Sequence, residues 1–328
     1  MELLLVHSGI DGIAAAVLAI ASNYGADIFA ASANVLNKYK MMKYDIITIV
    51  DMAIDEAMLK ELIACGKTVR IFDHHARNHF INHYENCIMD SRFCAAKIFY
   101  DNDNVLVHSK AADKFIEMVD LVDRWQVFDK KFDWALQILH LFNGMYDKKS
   151  SKYWIVRDNK HINNKYYSFI DSCVNKLLFT DDFRFQIDDR LIIDAENKKI
   201  DDDYNSTLCS LQVRIDSRNR IFGLCEKFGN PSIIMARLLI RNADLNYLIA
   251  YEATDEDRTR VYARSRNIKS DMNELAGLEG HPTAAGGLLN TSFVRRLVEN
   301  RIRYIPLTNT KKSKYQRGLT PYEMKHRR

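Results

Sequence analysis

Thr68-Val-Arg-Ile-Phe-Asp-His-His75 is the stretch on which the fold turns. Thr68–Phe72 is a mostly apolar, β-branched run of strand length, and it stops abruptly on a carboxylate and two imidazoles. The same pattern recurs upstream. Leu3–Val6 is a short buried-type strand followed by His7 and Asp11, and Ile46–Val50 is another followed by Asp51. Ile28–Ala31 is a further apolar run of strand length. Between these runs, Gly12–Ser22 is apolar over helical length, and Asp55–Ala64 places Ala57, Leu59, Leu62 and Ile63 on one side of a helix. Strand, helix, strand with short loops implies parallel strands joined by crossover helices. The first domain is therefore expected to be a three-layer α/β domain with a mainly parallel sheet.

Farther along, Ala111–Val122 and Ala135–Phe142 read as helices that close this domain, taken as residues 1–165. Residues 166–208 are strongly polar and helical, a helical connector with few residues able to form a core. Residues 209–302 read as a smaller mixed α/β domain. Its strands are Leu211–Ile215, Ile221–Glu226, Tyr247–Glu252 and Val261–Ser265, and its helices are Ser232–Arg241 and Asp271–Gly277. Residues 303–328 are a basic tail.

The composition agrees with a folded protein of two domains. The chain has 328 residues, 47% of them hydrophobic and 27% charged. The longest apolar stretches, Met1–Val6, Ile13–Ala21 and Ile46–Val50, are too short to span a bilayer, so no membrane partner is expected. The opening Met-Glu-Leu-Leu-Leu-Val has no basic segment or cleavage site and reads as a strand. Cysteines 65, 87, 94, 173, 209 and 225 are scattered, which argues against a disulfide framework and a thiolate zinc site and fits the cytoplasm. Net charge is +4, yet the tail alone carries eight Lys/Arg against one acid. The tail reads either as a nucleic-acid contact driven by counterion release or as a solvated extension.

Ligands of open parallel sheets bind at the carboxyl ends of the strands. The residues that follow the strands here are His7, Asp11, Asp51, Asp73, His74 and His75, each an imidazole or a carboxylate. Asp123 joins them at the end of the apolar helix Phe115–Val122. One aspartate after a strand is ordinarily a helix cap. A whole set of such residues at successive element ends points instead to a metal centre. Oxygen and imidazole donors together suit manganese, or magnesium where oxygen dominates. A bridging carboxylate such as Asp51 can hold two ions, and two ions can clamp the attacking and leaving oxygens of a phosphoryl displacement.

These pieces resemble the DHH phosphoesterase superfamily with its associated C-terminal domain. The matching segments are His7-Ser-Gly-Ile-Asp-Gly12, Val50-Asp-Met52, Phe72-Asp-His-His75, Val122-Asp-Arg-Trp125 and Gly280-His-Pro-Thr-Ala-Ala-Gly286. Phe115-Ile-Glu-Met-Val119 followed by Asp123-Arg-Trp125 is most similar to the nanoRNase-like branch, which degrades very short RNA to mononucleotides. The resemblance implies that His7 and Asp51 hold one manganese, while Asp11, Asp51, His74 and Asp123 hold another. It also implies that His75 touches the scissile phosphate and assists proton transfer, and that Asp73 orients the histidines. Arg264 matches the position of an arginine on substrate phosphate, and Gly280 with His281 supplies close backbone approach and a hydrogen-bond donor.

Two departures stand out. The first motif normally reads His-x-Asp-x-Asp, and here Gly9 stands where a metal-binding carboxylate belongs, which weakens the first ion's site. Glu279 sits where glycine is preferred before Gly280. Three functions therefore stay open. They are a manganese phosphodiesterase acting on short RNA or DNA oligomers, a same-fold enzyme acting on another phosphate ester or anhydride (a cyclic dinucleotide, a nucleoside bisphosphate or pyrophosphate), and an impaired relative that binds nucleotide or RNA without cutting it.

Overall fold

The computed structural model describes residues 1–31, 41–127, 129–150, 152–210, 212–215, 221–226, 231–241, 247–253, 257–265, 279–281 and 284–292. The expected helix at Asp271–Gly277 and the basic tail lie outside the described residues. The chain divides into two compact units, Met1–Glu196 and Asn197–Arg328.

In the first unit the strands are β1 (Glu2–His7), β2 (Asp27–Ala31), β3 (Ile46–Val50), β4 (Thr68–Asp73), β5 (Cys87–Met89), β6 (Trp154–Arg157) and β7 (Lys160–His161). They form one sheet in the order β5-β4-β3-β1-β2-β6-β7, with β1 to β5 parallel and β6 and β7 antiparallel at the edge. The expected mainly parallel α/β architecture is thus present, with three additional strands, β5 to β7.

The apolar runs are buried on both faces, as crossover helices require. Leu4 and Val6 point to one core with Ala14, Val17, Phe99 and Phe115, while Leu3 and Leu5 point to a second with Ile49, Leu59 and Leu62. The helices of this unit are α1 (Ile10–Ala21), α2 (Glu56–Ala64), α3 (Ala95–Asn102), α4 (Lys110–Asp123), α5 (Phe132–Gly144) and α6 (Tyr167–Phe179), and α7 (Ile187–Ser210) begins in it and ends in the second. Asp55 caps α2 by accepting from the Ala57 amide at 2.8 Å, and Ser109 caps α4 by accepting from that of Ala112 at 3.1 Å. The stretch read as a polar connector contributes to the core after all. Within α6, Phe169, Ile170 and Cys173 are buried in the first core, and Phe183 and Ile193 follow them there. The charged residues that follow α6, among them Asp181, Asp182, Arg184, Asp188, Asp189 and Arg190, mask this apolar contribution.

The second unit holds β8 (Gln212–Ile215), β9 (Ile221–Glu226), α8 (Pro231–Arg241), β10 (Tyr247–Ala253), β11 (Arg258–Ser265), β12 (Glu279–His281) and β13 (Ala284–Asn290). Its sheet runs β12-β13-β11-β10-β9-β8, with β9 and β10 parallel and the other pairs antiparallel. Ile233, Leu238 and Leu239 of α8 are buried, and α8 packs on β10 and β11. Among the described residues no helix is long and apolar enough to cross a membrane.

One glycine sets how close α1 comes to the sheet. A Cβ on Gly12 would stand 2.2 Å from the His7 carbonyl oxygen and 2.5 Å from the His7 nitrogen. Both atoms are backbone, so nothing flexible can give way. Gly12→Ala should therefore destabilise the chain by about 3 kcal/mol, the upper part of the usual overpacking range. Urea unfolding measures it, and a midpoint equal to the native one would show that α1 can retreat without penalty.

Candidate metal centre

The centre is built on one row of the parallel sheet. Val6 pairs with Val50, and Val50 with Phe72. The next residue on each strand is His7, Asp51 and Asp73, so the apolar row gives way to a polar one at the carboxyl edge. Asp51 leaves the ladder with φ 60°, the left-handed region that aspartate tolerates better than bulky residues. Its amide still donates to the Phe72 carbonyl at 3.1 Å, so the carboxylate turns off the strand from a fixed base.

Asp73 is fully buried and acts as the scaffold of the triplet. Its Oδ1 accepts from the His74 amide at 2.8 Å and lies 2.8 Å from His75 Nδ1, and its Oδ2 accepts from Asn78. The two imidazoles meet edge to face with centroids 4.5 Å apart. His74 is buried, whereas His75 is 36% exposed at its side chain.

Helices supply the remaining carboxylates. Asp11 lies in the first turn of α1 and is buried, and its oxygens accept from the Ala95 amide at 2.7 Å and the Ala96 amide at 2.8 Å. It thereby caps α3, whose own N-cap residue, Cys94, offers no side-chain cap. Asp120 completes the arrangement by accepting from the Cys94 amide at 2.7 Å. Asp123 is the last residue of α4, at the negative end of the helix dipole, where a carboxylate is disfavoured without a compensating cation.

Three carboxylates surround His74. Its Nε2 stands 3.3 Å from Asp51 and 3.9 Å from Asp11, and its Nδ1 stands 3.6 Å from Asp123. Most of these gaps exceed hydrogen-bond length. They suit donors that share a hard divalent cation at about 2.0–2.6 Å from each. The potential-donor atoms of Asp11, His74 and Asp123 form one group within 4.8 Å of one another, and those of Asp51, Asp73, His74 and His75 form another.

Electrostatics point the same way. Burial, then the Asp51 charge, pushes Asp11 up to about 6. Burial, then the Asp11 charge, lifts Asp123 well above the usual carboxylate range. At Asp51 burial works upward too, but the His7 and His74 rings beside it outweigh it and hold the group below the usual range. Burial works to lower His74, yet Asp51, Asp123 and Asp11 raise it to about 10. One imidazolium cannot neutralise three carboxylates, so the donor set fits a divalent cation.

His7 belongs to neither group. Its Nδ1 lies 3.3 Å from Asp51 and accepts from the Gly9 amide at 3.2 Å, so the ring folds back over Gly9. A Cβ at position 9 would stand 2.9 Å from that same nitrogen. Of the residues singled out in the sequence, the structure brings Asp11, Asp51, Asp73, His74, His75 and Asp123 together, whereas Asn78 and Asp120, which hold parts of the cluster in place, were not singled out. Asp120 left a readable trace, since it lies three residues before Asp123 and so on nearly the same helix face. Asn78 left none.

Arg264, Gly280 and His281 lie in the second unit. Arg264 pairs with Ala284, and Ala284 with His281, so the two positions share a row across the sheet at two strand spacings, roughly 10 Å. Arg264 is buried, and its Nη1 donates to the Ala263 carbonyl at 2.8 Å. Burial lowers its pKa to about 10, which leaves it charged at neutral pH.

No protein-family profile matches the chain, and no curated protein matches it in sequence. Its structure is similar to the solved DHH domain of a protein described as a member of a ribosomal-protein family. The TM-score is 0.56, with 14% identity over 90% of this chain and 84% of that one. It also matches a pGpG-specific phosphodiesterase from Vibrio cholerae, at TM-score 0.45 and 15% identity over 91% of this chain and 95% of that one. A third match is RecJ from Thermus thermophilus in complex with Mn2+, at TM-score 0.49 and 14% identity over 90% of this chain and 50% of that one. The chain has the fold of that solved DHH domain.

Proposed function

We propose that the chain is a manganese-dependent phosphodiesterase that hydrolyses short oligonucleotides to mononucleotides with a metal-activated water. The observation that carries this reading is the crowding of Asp11, Asp51 and Asp123 around His74 at the carboxyl edge of the parallel sheet. Those four side chains would hold one ion, and His7 with Asp51 would hold the other. Bound there, divalent ions supply a Lewis acid for phosphoryl oxygens and make hydroxide available near neutral pH. Asp73 fixes the His75 ring through Nδ1, which leaves Nε2 as the atom that exchanges a proton with substrate. Arg264, Gly280 and His281 would bind substrate phosphate on the second unit. Incubation with Mn2+ and a dinucleotide should release mononucleotides, and His74→Ala should reduce the rate to that of metal-free protein. No turnover with any divalent metal would end this reading.

Metal uptake should also move protons. A ligating histidine is neutral, and His74 in the cation-free chain keeps its proton up to about 10. Binding at pH 7 therefore expels a proton, and affinity rises with pH. It should fall most steeply as pH drops through about 6, where Asp11 takes up a proton. Titration calorimetry of Mn2+ in two buffers of different ionisation enthalpy reads the release directly, and an affinity independent of pH would contradict it.

A second reading, binding of nucleotide without cleavage, is favoured by Gly9 alone. In Gly9→Asp, His7 must swing off position 9 and a new carboxylate reaches the edge. Manganese bound per chain, read by elemental analysis after gel filtration, should rise. An unchanged value would show that another group already completes the first ion's site.

A further inference from the structure

Beside the carboxylate cluster stands an aromatic ring that the proposed chemistry does not use. Phe93 is half-buried against the first core, and three cations surround it. Its ring centroid lies 5.7 Å from Arg92 Cζ, 5.3 Å from Lys97 Nζ and 5.9 Å from Arg124 Cζ. The position is tied to the centre at three points. The Asp90 amide donates to the Asp73 carbonyl at 3.0 Å, Phe93 precedes the Cys94–Ala96 amides that Asp120 and Asp11 hold, and Arg124 directly follows Asp123.

We infer that Phe93 is a stacking platform for a nucleobase of the substrate, with the base held between its ring and the guanidinium plane of Arg92. The inference rests on the proposed nucleotide chemistry and names which part of the substrate this rim takes. The charge pattern decides between base and phosphate. Arg92 pairs with Asp90, Lys97 with Asp101 and Arg124 with Asp120, so the cluster is locally neutral and offers little attraction to a phosphate. What it offers is π-surface, and both aromatic rings and guanidinium planes stack bases in single-stranded nucleic acid. The three cations differ in mobility. Lys97 and Arg124 are 29% and 21% exposed at their side chains and stay with the ring, while Arg92, at 80%, can lift to admit a base. A platform of this kind accepts any base, which suits an enzyme acting on short oligomers of mixed sequence.

The test is binding of a dinucleotide that contains 2-aminopurine, whose fluorescence falls on stacking. It is titrated with the full chain in EDTA so that nothing is cleaved. The native chain should quench the probe in a saturable way. Phe93→Leu, which keeps the apolar packing, should weaken binding about tenfold and lose the quenching, as expected for one base stacked on one aromatic side chain. Phe93→Tyr should restore both. Absence of saturable binding by the native chain, or a Phe93→Leu titration equal to the native one, overturns the platform. Quenching without mononucleotide release in Mn2+ upholds the platform while the phosphodiesterase reading fails, so the two stand or fall separately.

Discussion

The grip of Asp11 on the amino end of α3 is the interaction on which the rest of the edge depends. Its two oxygens accept from Ala95 and Ala96 at 2.7 and 2.8 Å, across 84 and 85 residues of chain. α3 has no side-chain cap of its own, so its first amides would otherwise be buried without partners. The same carboxylate stands 3.9 Å from His74. One residue thus fastens α1 to α3 and presents charge to the candidate metal centre. A cation placed there would draw on oxygens already held rigid by the helix, and preorganised donors lose little freedom on binding. Asp120 extends the principle to α4, because it accepts from the Cys94 amide and belongs to the helix that ends on Asp123.

The parallel strands β1 to β4 were legible because they are buried on both faces. That condition replaces the alternating pattern of a one-sided sheet with continuous apolar runs, and the polar residue that ends each run marks the carboxyl edge. α3 was not legible for the opposite reason. Its capping acids are distant in sequence, so no Ser, Thr or Asp announces its start at Cys94. The apolar residues of α6, with Phe169, Ile170 and Cys173 buried, were overshadowed by the strongly charged run that follows from Thr180 onward. In the second unit, β13 runs through Ala284-Ala-Gly-Gly287, residue types that weaken a strand signal. Its ladder to β11 depends on a partner no local reading can supply.

The departure at Gly9 acquires a physical meaning from His7. Without a side chain at position 9, the His7 ring lies back over the Gly9 amide and its Nδ1 comes within 3.3 Å of Asp51. A carboxylate at position 9 and this pose of His7 exclude each other, since a Cβ there would meet Nδ1 at 2.9 Å. Glycine at this position therefore does more than leave out a carboxylate. It leaves room for the His7 ring, whose proximity acts together with that of His74 in holding Asp51 ionised. Asp51 faces His7 on one oxygen and His74 on the other, a bridging posture that needs no acid at position 9. The edge is consequently asymmetric, with Asp11, Asp51, His74 and Asp123 dense on one side of the bridge and His7 alone on the other. An ion on the His7 side would depend on water or substrate oxygens to complete its shell, which couples its retention to substrate itself.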